Sequence, residues 1–566
     1  MKRTKRALAL LLSLLLCAAL AACGGGNEDK TPDQPDSNVQ TPAQPDQPAD
    51  PAPPAGGPDP DSYINCRING EPTTMDIAKF SQVYDRTVMY NILEPLTRIQ
   101  DGVVVGAGAE SWTVSGDGAV YTFKLRDNSW ADGQKVTAGD YLYAIQRQAD
   151  PVNAWPLASD LYAIAGFEDI FNGAADMSQL GVEAPDESTL VVTLRSPNSA
   201  FLTNVDIFPC RQDVAEQYGD TYGTEVDKMI GCGPFKMTEW VHGGTMTLEK
   251  SDTYWDADSV QLSKFTFHVI ADTNAIMSSF ESGALDYVNV SNSEYIQRFS
   301  GDSNLVSAPV SASRTFMVVF NCQDPVFSNA KIRLAFSLAL DRATLAEVIT
   351  GGTAVPATGL VPPECNVGSL SFREAAGDLI GSLAQANSDL TALLAEGMEE
   401  AGLGSDPAGL TVKFAWGATT ADARTYAELI QQMWQDTLGV KVELEFNDGS
   451  THMSNVNSGN YQAATTSWGA NPEPWFQLSR WANAKGGQSN WISEEYVQLV
   501  RGGVAELDEA KRLELYRQAE ELLVSEAAMA PLYWTGSIRF SYGYVQNFSE
   551  NVFDTVGMKR IYTSGR

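Results

Sequence analysis

A chain of 566 residues, 43% hydrophobic and 10% aromatic, exceeds what one hydrophobic core supports and carries enough apolar side chains to build two or more. Its formal charge of -33, from 38 basic and 71 acidic residues, excludes nucleic acid as a natural partner and argues against wrapping on anionic lipid, since both attract basic proteins. Three histidines, His242, His268 and His452, stand in no ligand spacing and no GxSxG elbow occurs, so no catalytic residue, metal site or cofactor is expected.

At the N-terminus Lys2, Arg3, Lys5 and Arg6 precede an apolar stretch over 7–16, and the run then passes into small residues. A membrane span needs roughly 20 apolar residues, so residues 1–23 read as a cleaved export signal. Leu20-Ala21-Ala22-Cys23 resembles the lipobox of bacterial lipoproteins, which implies lipidation of Cys23. Removing the signal takes four cationic and no acidic residues and moves the charge from -33 to -37. Residues 24–62 hold ten prolines, eight acidic residues and almost no large apolar side chain. They are predicted to be a disordered tether reaching from roughly 35 Å as a coil to about 120 Å as polyproline II.

Alternating apolar residues predict strands at 120–125, 189–194, 264–270 and 315–320, and 235–250 reads as a hairpin reversed at His242-Gly243-Gly244. Helical spacing predicts one helix over 331–349, two over 369–403 joined near Ser388, and another over 422–438. Gly439 ends that last helix and 440–446 alternates as a strand. Asp508 is placed to cap a helix running to about Ser525. Of the five cysteines left after the lipobox, none has CxxC spacing; a single Cys210–Cys232 bridge and five reduced thiols are both open.

Several short motifs occur in one order: Glu94-Pro95-Leu96, Gly108-Ala109-Glu110-Ser111-Trp112, the block from Tyr121 through Trp130-Ala131-Asp132-Gly133 to Asp140, Gly231 to Phe235, Tyr254-Trp255, Phe327 to Arg333, and Leu338 to Arg342. Together they resemble the oligopeptide- and dipeptide-type extracellular solute-binding family of ABC importers, from about Tyr63 to the C-terminus. The resemblance implies an α/β, bilobed periplasmic-binding-protein-like fold of type II, in its large three-region form, with a hinge between the lobes. Lobe I would comprise 63–96, 206–309 and 540–566, with 97–205 as its accessory region; lobe II would be 310–539. It implies a monomer that binds a short peptide in the interlobe cleft and delivers it to permease and ATPase subunits. Its place would be the extracytoplasmic face of the cell membrane, held by the N-terminal lipid anchor.

In peptide binders of this family a Trp in lobe II precedes backbone contacts and an Asp that pairs with the peptide ammonium. Here the segment reads Trp468-Gly469-Ala470-Asn471-Pro472-Glu473, with an amide at the Asp position and Glu473 as a substitute anchor or a solvated loop charge. The cation that some members carry just before the Trp is absent, and Thr465, Thr466 and Ser467 stand there. Phe316, Trp155 and Trp475 are aromatic candidates for the cleft, each set against core packing. Other small solutes, oligosaccharides above all, and a peptide-sensing receptor remain alternatives.

Overall fold

The computed structural model describes residues 57–483 and 487–566; the export signal, Cys23 and most of the predicted tether lie outside them. The fold is mixed α/β and is organised by three larger sheets. In the first, the strand Tyr63–Ile68 runs parallel to Lys264–Val269, which continues antiparallel into the hairpin Phe235–Val241 and Thr245–Lys250. Gly243, at φ +72°, makes the reversal that the sequence assigns to it. Period-two burial of Ile64, Cys66 and Ile68 turns one face of this sheet inward. A second sheet is wholly antiparallel, in the order Ala109–Val114, Val120–Leu125, Thr189–Thr193, Val182–Asp186. Both sheets feed one buried cluster that includes Ile64, Phe123, Trp130, Phe167 and Phe265.

The motif residues sit inside this half as a polar hub. The Glu94 carboxylate accepts from Arg98 Nη2 at 2.6 Å, Tyr254 Oη at 2.9 Å and Trp255 Nε1 at 3.0 Å, while its backbone carbonyl accepts from Tyr141 Oη. Glu94 and Arg98 are almost wholly buried, so the charge is tolerated because every lone pair is used.

The third sheet has the order Tyr287–Val290, Met529–Tyr542, Leu305–Phe320, Ala463–Gly469, Thr411–Trp416, Lys441–Phe446, with Val355–Pro356 on Met529–Tyr542. Apolar clusters cover both its faces, one built on Phe336, Trp434 and Leu438, the other on Tyr496, Tyr516 and Leu523. The strands Leu305–Phe320 and Met529–Tyr542 pair along most of their length and link the two halves of the molecule. Their register shifts between Ser311 and Thr315, where Ser313 adopts φ +43°.

Residues 57–62, which the sequence assigns to the tether, are folded. The backbone N–H of Asp59 donates to Thr563 O, its side chain accepts from Gly565 N, and Ser62 is buried against Thr563. The helix expected over 331–349 is two helices, Ala330–Leu338 and Arg342–Thr350, because Asp341 caps the second by accepting from Ala343 N and Thr344 N. The stretch 369–403 holds three short helices instead of two. Cys210 and Cys232 are free thiols. Cys210 Sγ bonds to Tyr222 and accepts from Arg147, whereas Cys232 is buried near the Glu94 hub, so the two sulfurs serve different environments. Among the described residues no helix is long and apolar enough to cross a membrane, and no group of three or more acidic, histidine or cysteine residues is placed to hold a metal.

Glu94→Ala leaves Arg98 charged and buried without its carboxylate; the expected loss is about 3–5 kcal/mol of unfolding free energy, measurable by urea titration.

Candidate interlobe binding cleft

Two cavities open between the halves of the molecule. One, of about 730 Å³, is lined by Arg86, Asp160, Tyr162, Arg195, Asn204 and Ser196–Asn198 on one side and by Asn471, Trp475, Phe476 and Arg480 on the other. The second, of about 630 Å³, is bounded by Val103, Trp112, Tyr121 and Thr203 against Asn366, Glu473, Glu509 and Arg512. A strip of cross-cleft hydrogen bonds separates them: Ser199 N to Val504 O at 2.8 Å, Thr203 Oγ1 to Glu473 Oε2 at 3.4 Å, and Asn471 Nδ2 to Asn204 Oδ1 at 2.7 Å.

The strand Ala463–Gly469 carries the chain into this cleft. On one side it pairs antiparallel with Arg314 to Phe320; on the other, the parallel pairing to Thr411–Trp416 covers Ala463 and Ala464 alone. Beyond Ala464 that edge has no strand partner among the described residues; Thr465 O is bonded to His452 Nε2 at 2.7 Å, and the chain runs on from Gly469 to Asn471 on the cavity wall. An open edge of this kind is a template for a further extended chain.

Trp468 does not present a bare face. The Arg480 guanidinium lies 3.9 Å above its ring, and its Nε1 donates to Gln488 Oε1 at 2.9 Å. Gly469 sits opposite Arg314 in the ladder, and Ala470 N donates to Ser313 O at 2.7 Å. Phe316 stacks on Tyr533, with centroids 5.1 Å apart and planes 7° from parallel, and is not on either cavity wall. Trp155 is 3% exposed, packs on Phe80 and donates to the Phe80 carbonyl, so it belongs to the core, where its N–H finds a partner. Trp475 does line the larger cavity. Sequence reasoning passed over Arg86, Asp160, Asn204, Arg314 and Arg480. None stands in a motif, and their approach depends on pairing between distant segments.

A model of bacterial extracellular solute-binding proteins, family 5 (middle), matches residues 103–489. The chain belongs to this family. The dipeptide-binding protein DppE of Bacillus subtilis is 31% identical to it, with 99% of both chains covered. Among solved structures, the unliganded open form of the periplasmic murein tripeptide binding protein MppA matches with a TM-score of 0.75 at 26% identity, over 89% of this chain and 98% of that one. Listeria monocytogenes OppA bound to peptide matches with 0.64, also at 26% identity, over 90% and 100%. These neighbours are bilobed extracytoplasmic binding proteins, and this family member shares that fold.

For a family member, the segment after Trp468 departs from expectation at Glu473. The side chain is buried, and its Oε1 lies 2.9 Å from Arg512 Nε, off the line of the N–H, so the contact is an ion pair without a hydrogen bond. Burial raises the carboxyl from 4.5 to about 7, against the opposing pull of Arg512 and Thr203. A carboxylate so engaged is not held out to a ligand ammonium. Because the folded pKa is raised, the group's stabilisation is fully present below pH 4.5 and is lost as pH rises through 7. Glu473→Gln should therefore flatten the pH dependence of unfolding across that window and leave peptide affinity nearly unchanged. A true ammonium anchor would instead lose about 1.5–3 kcal/mol of binding, roughly ten- to a hundredfold in Kd by calorimetry.

Proposed function

We propose that this protein captures short peptides in the cleft between its lobes and passes them to the permease and ATPase of an ABC importer. The observation that carries this reading is the edge of Ala463–Gly469 left without a strand partner beyond Ala464, which runs on to Asn471 in the wall of the 730 Å³ cavity. An extended peptide laid along that edge satisfies its own main-chain groups whatever its side chains, and the cavity leaves hydrated space for them. Relatives named for dipeptides and for a murein tripeptide, and a neighbour solved with peptide bound, support the same substrate class. Binding and release need no chemistry, so the protein is read as a carrier and not an enzyme.

Within this reading the ligand contacts come from Trp468, Gly469, Ala470 and Asn471, the last through the amide oxygen left free by its bond to Asn204. Lobe I is assigned to 63–96, 206–309 and 540–566 with 97–205 as its accessory region, and lobe II to 310–539. The protein acts as a monomer on the extracytoplasmic face of the membrane, tethered through a lipid on Cys23.

Thermal unfolding of the chain from Gly24 onward, which keeps every described residue, tests the substrate. Peptides of two to eight residues at a hundred times Kd should stabilise it by about 2.7 kcal/mol. Stabilisation by oligosaccharides and by no peptide would overturn the substrate and keep the fold. In cells, Cys23→Ser should move the protein from the membrane fraction to the soluble fraction; retention in the membrane would sink the lipid anchor.

A further inference from the structure

The cations that line the two cavities divide into two kinds. Arg86 is paired with Asp160 and Asp206, Arg195 with Glu168, and Arg512 with Glu473. Arg480 is different. Its guanidinium lies over Trp468 and, at 4.5 Å, over Phe476, and its buried Nε has no hydrogen-bond partner. Burial and the like charge of Arg314 pull its pKa down, and no carboxylate among the described residues offsets them.

Arg314 arrives from the other side of the same strand. It follows Ser313 in the bulge of Leu305–Phe320, an irregularity that re-aims the side chain beside it. It is exposed, and its Nη1 donates to Ser467 O at 3.3 Å and to Ser467 Oγ at 3.1 Å. Opposite it stands Gly469, and a Cβ built there would make ordinary contact with Arg314 Nη2 at 3.8 Å, so the guanidinium lies across the strand at this position. Two like charges are thus held beside the open edge, bonded to rings and neutral oxygens.

We propose that Arg314 and Arg480 together form a carboxylate subsite of the cleft, so that this protein selects peptides presenting an anionic group at Trp468. This rests on the peptide-binding reading above. Guanidinium edges match a carboxylate in plane, and one anion relieves the repulsion between the two cations. Positive charge that the sequence lacks immediately before Trp468 is supplied instead by the bulge of a neighbouring strand and by the residue two past a short helix, Trp475–Leu478. The carboxylate is that of a peptide C-terminus or of an acidic side chain, and the two sources are separable.

The test is calorimetry on the chain from Gly24 onward with four peptides: Ala-Ala-Ala-Ala as the free acid and as its C-terminal amide, and Ala-Ala-Glu-Ala and Ala-Ala-Gln-Ala, both as amides. For the wild type, whichever pair samples the subsite should differ at least about tenfold in Kd, about 1.4 kcal/mol. Loss on amidation assigns the terminal carboxylate, and loss on Glu-to-Gln exchange assigns a side chain. The difference should collapse in Arg314→Gln, an exposed position that does not threaten folding, and in Arg480→Gln, with weak binding of the neutral member retained. Equal affinities within both pairs would overturn the subsite and leave the peptide reading standing. Failure of all four to bind, with tighter binding by a neutral sugar, would sink both.

Discussion

Everything in the cleft is positioned by the pairing of two long strands, Leu305–Phe320 and Met529–Tyr542. At one end Met529–Tyr542 pairs with Tyr287–Val290, and at the other Leu305–Phe320 pairs with Ala463–Gly469. Because side chains alternate with period two, a one-residue slip between these strands would turn Met317 and Val319 off one core and Val318 and Phe320 off the other. The register is therefore fixed by burial at the lobe II end. Irregularity is confined to two places, at Ser311–Thr315 and at Phe316–Met317, the latter opposite Pro531, which has no N–H to give the ladder. Bending is least costly where ladder bonds are already missing, and Arg314 stands at one of these two irregularities.

The motif residues that carry the family resemblance mostly sit in buried polar networks. Glu94, Tyr254 and Trp255 form one buried hub. Arg333 donates to the carbonyls of Phe327, Ser328 and Glu526, and Arg342 to those of Leu340 and Pro531. Each closes a polar network in the interior, where an unmet donor costs about 1–3 kcal/mol and a charged one more. Such positions constrain the sequence whatever the solute.

Local pattern was enough for elements whose signals are local. The hairpin about Gly243, the helix Ala421–Leu438 ending at Gly439, and the Asp508 cap on Glu509–Ser525 stand where spacing puts them. The strand expected over 315–320 extends back to Leu305, because its first half is stabilised by pairing with Met529–Tyr542 and not by its own alternation. Trp155 misled because a tryptophan in a loop reads alike whether its face is in a cleft or under Phe80. Arg314 and Arg480 were beyond reach for a related reason. Each is an ordinary arginine until strand register and a short helix set it beside Trp468.

The molecule's overall charge sharpens the role of that arginine pair. A body of -33 repels an anionic peptide at a distance, but exposed charges are screened over about 8–10 Å in physiological salt. Around the cleft, Arg86, Arg195 and Arg512 each lie against carboxylates, whereas Arg480 has none beside it among the described residues and feels the like charge of Arg314. Discrimination then arises at contact, where a desolvated guanidinium is strongest, and long-range steering contributes little to it. A carrier built this way tells anionic from neutral peptides chiefly by how slowly they leave, with encounter rates that differ little or even favour the neutral ones.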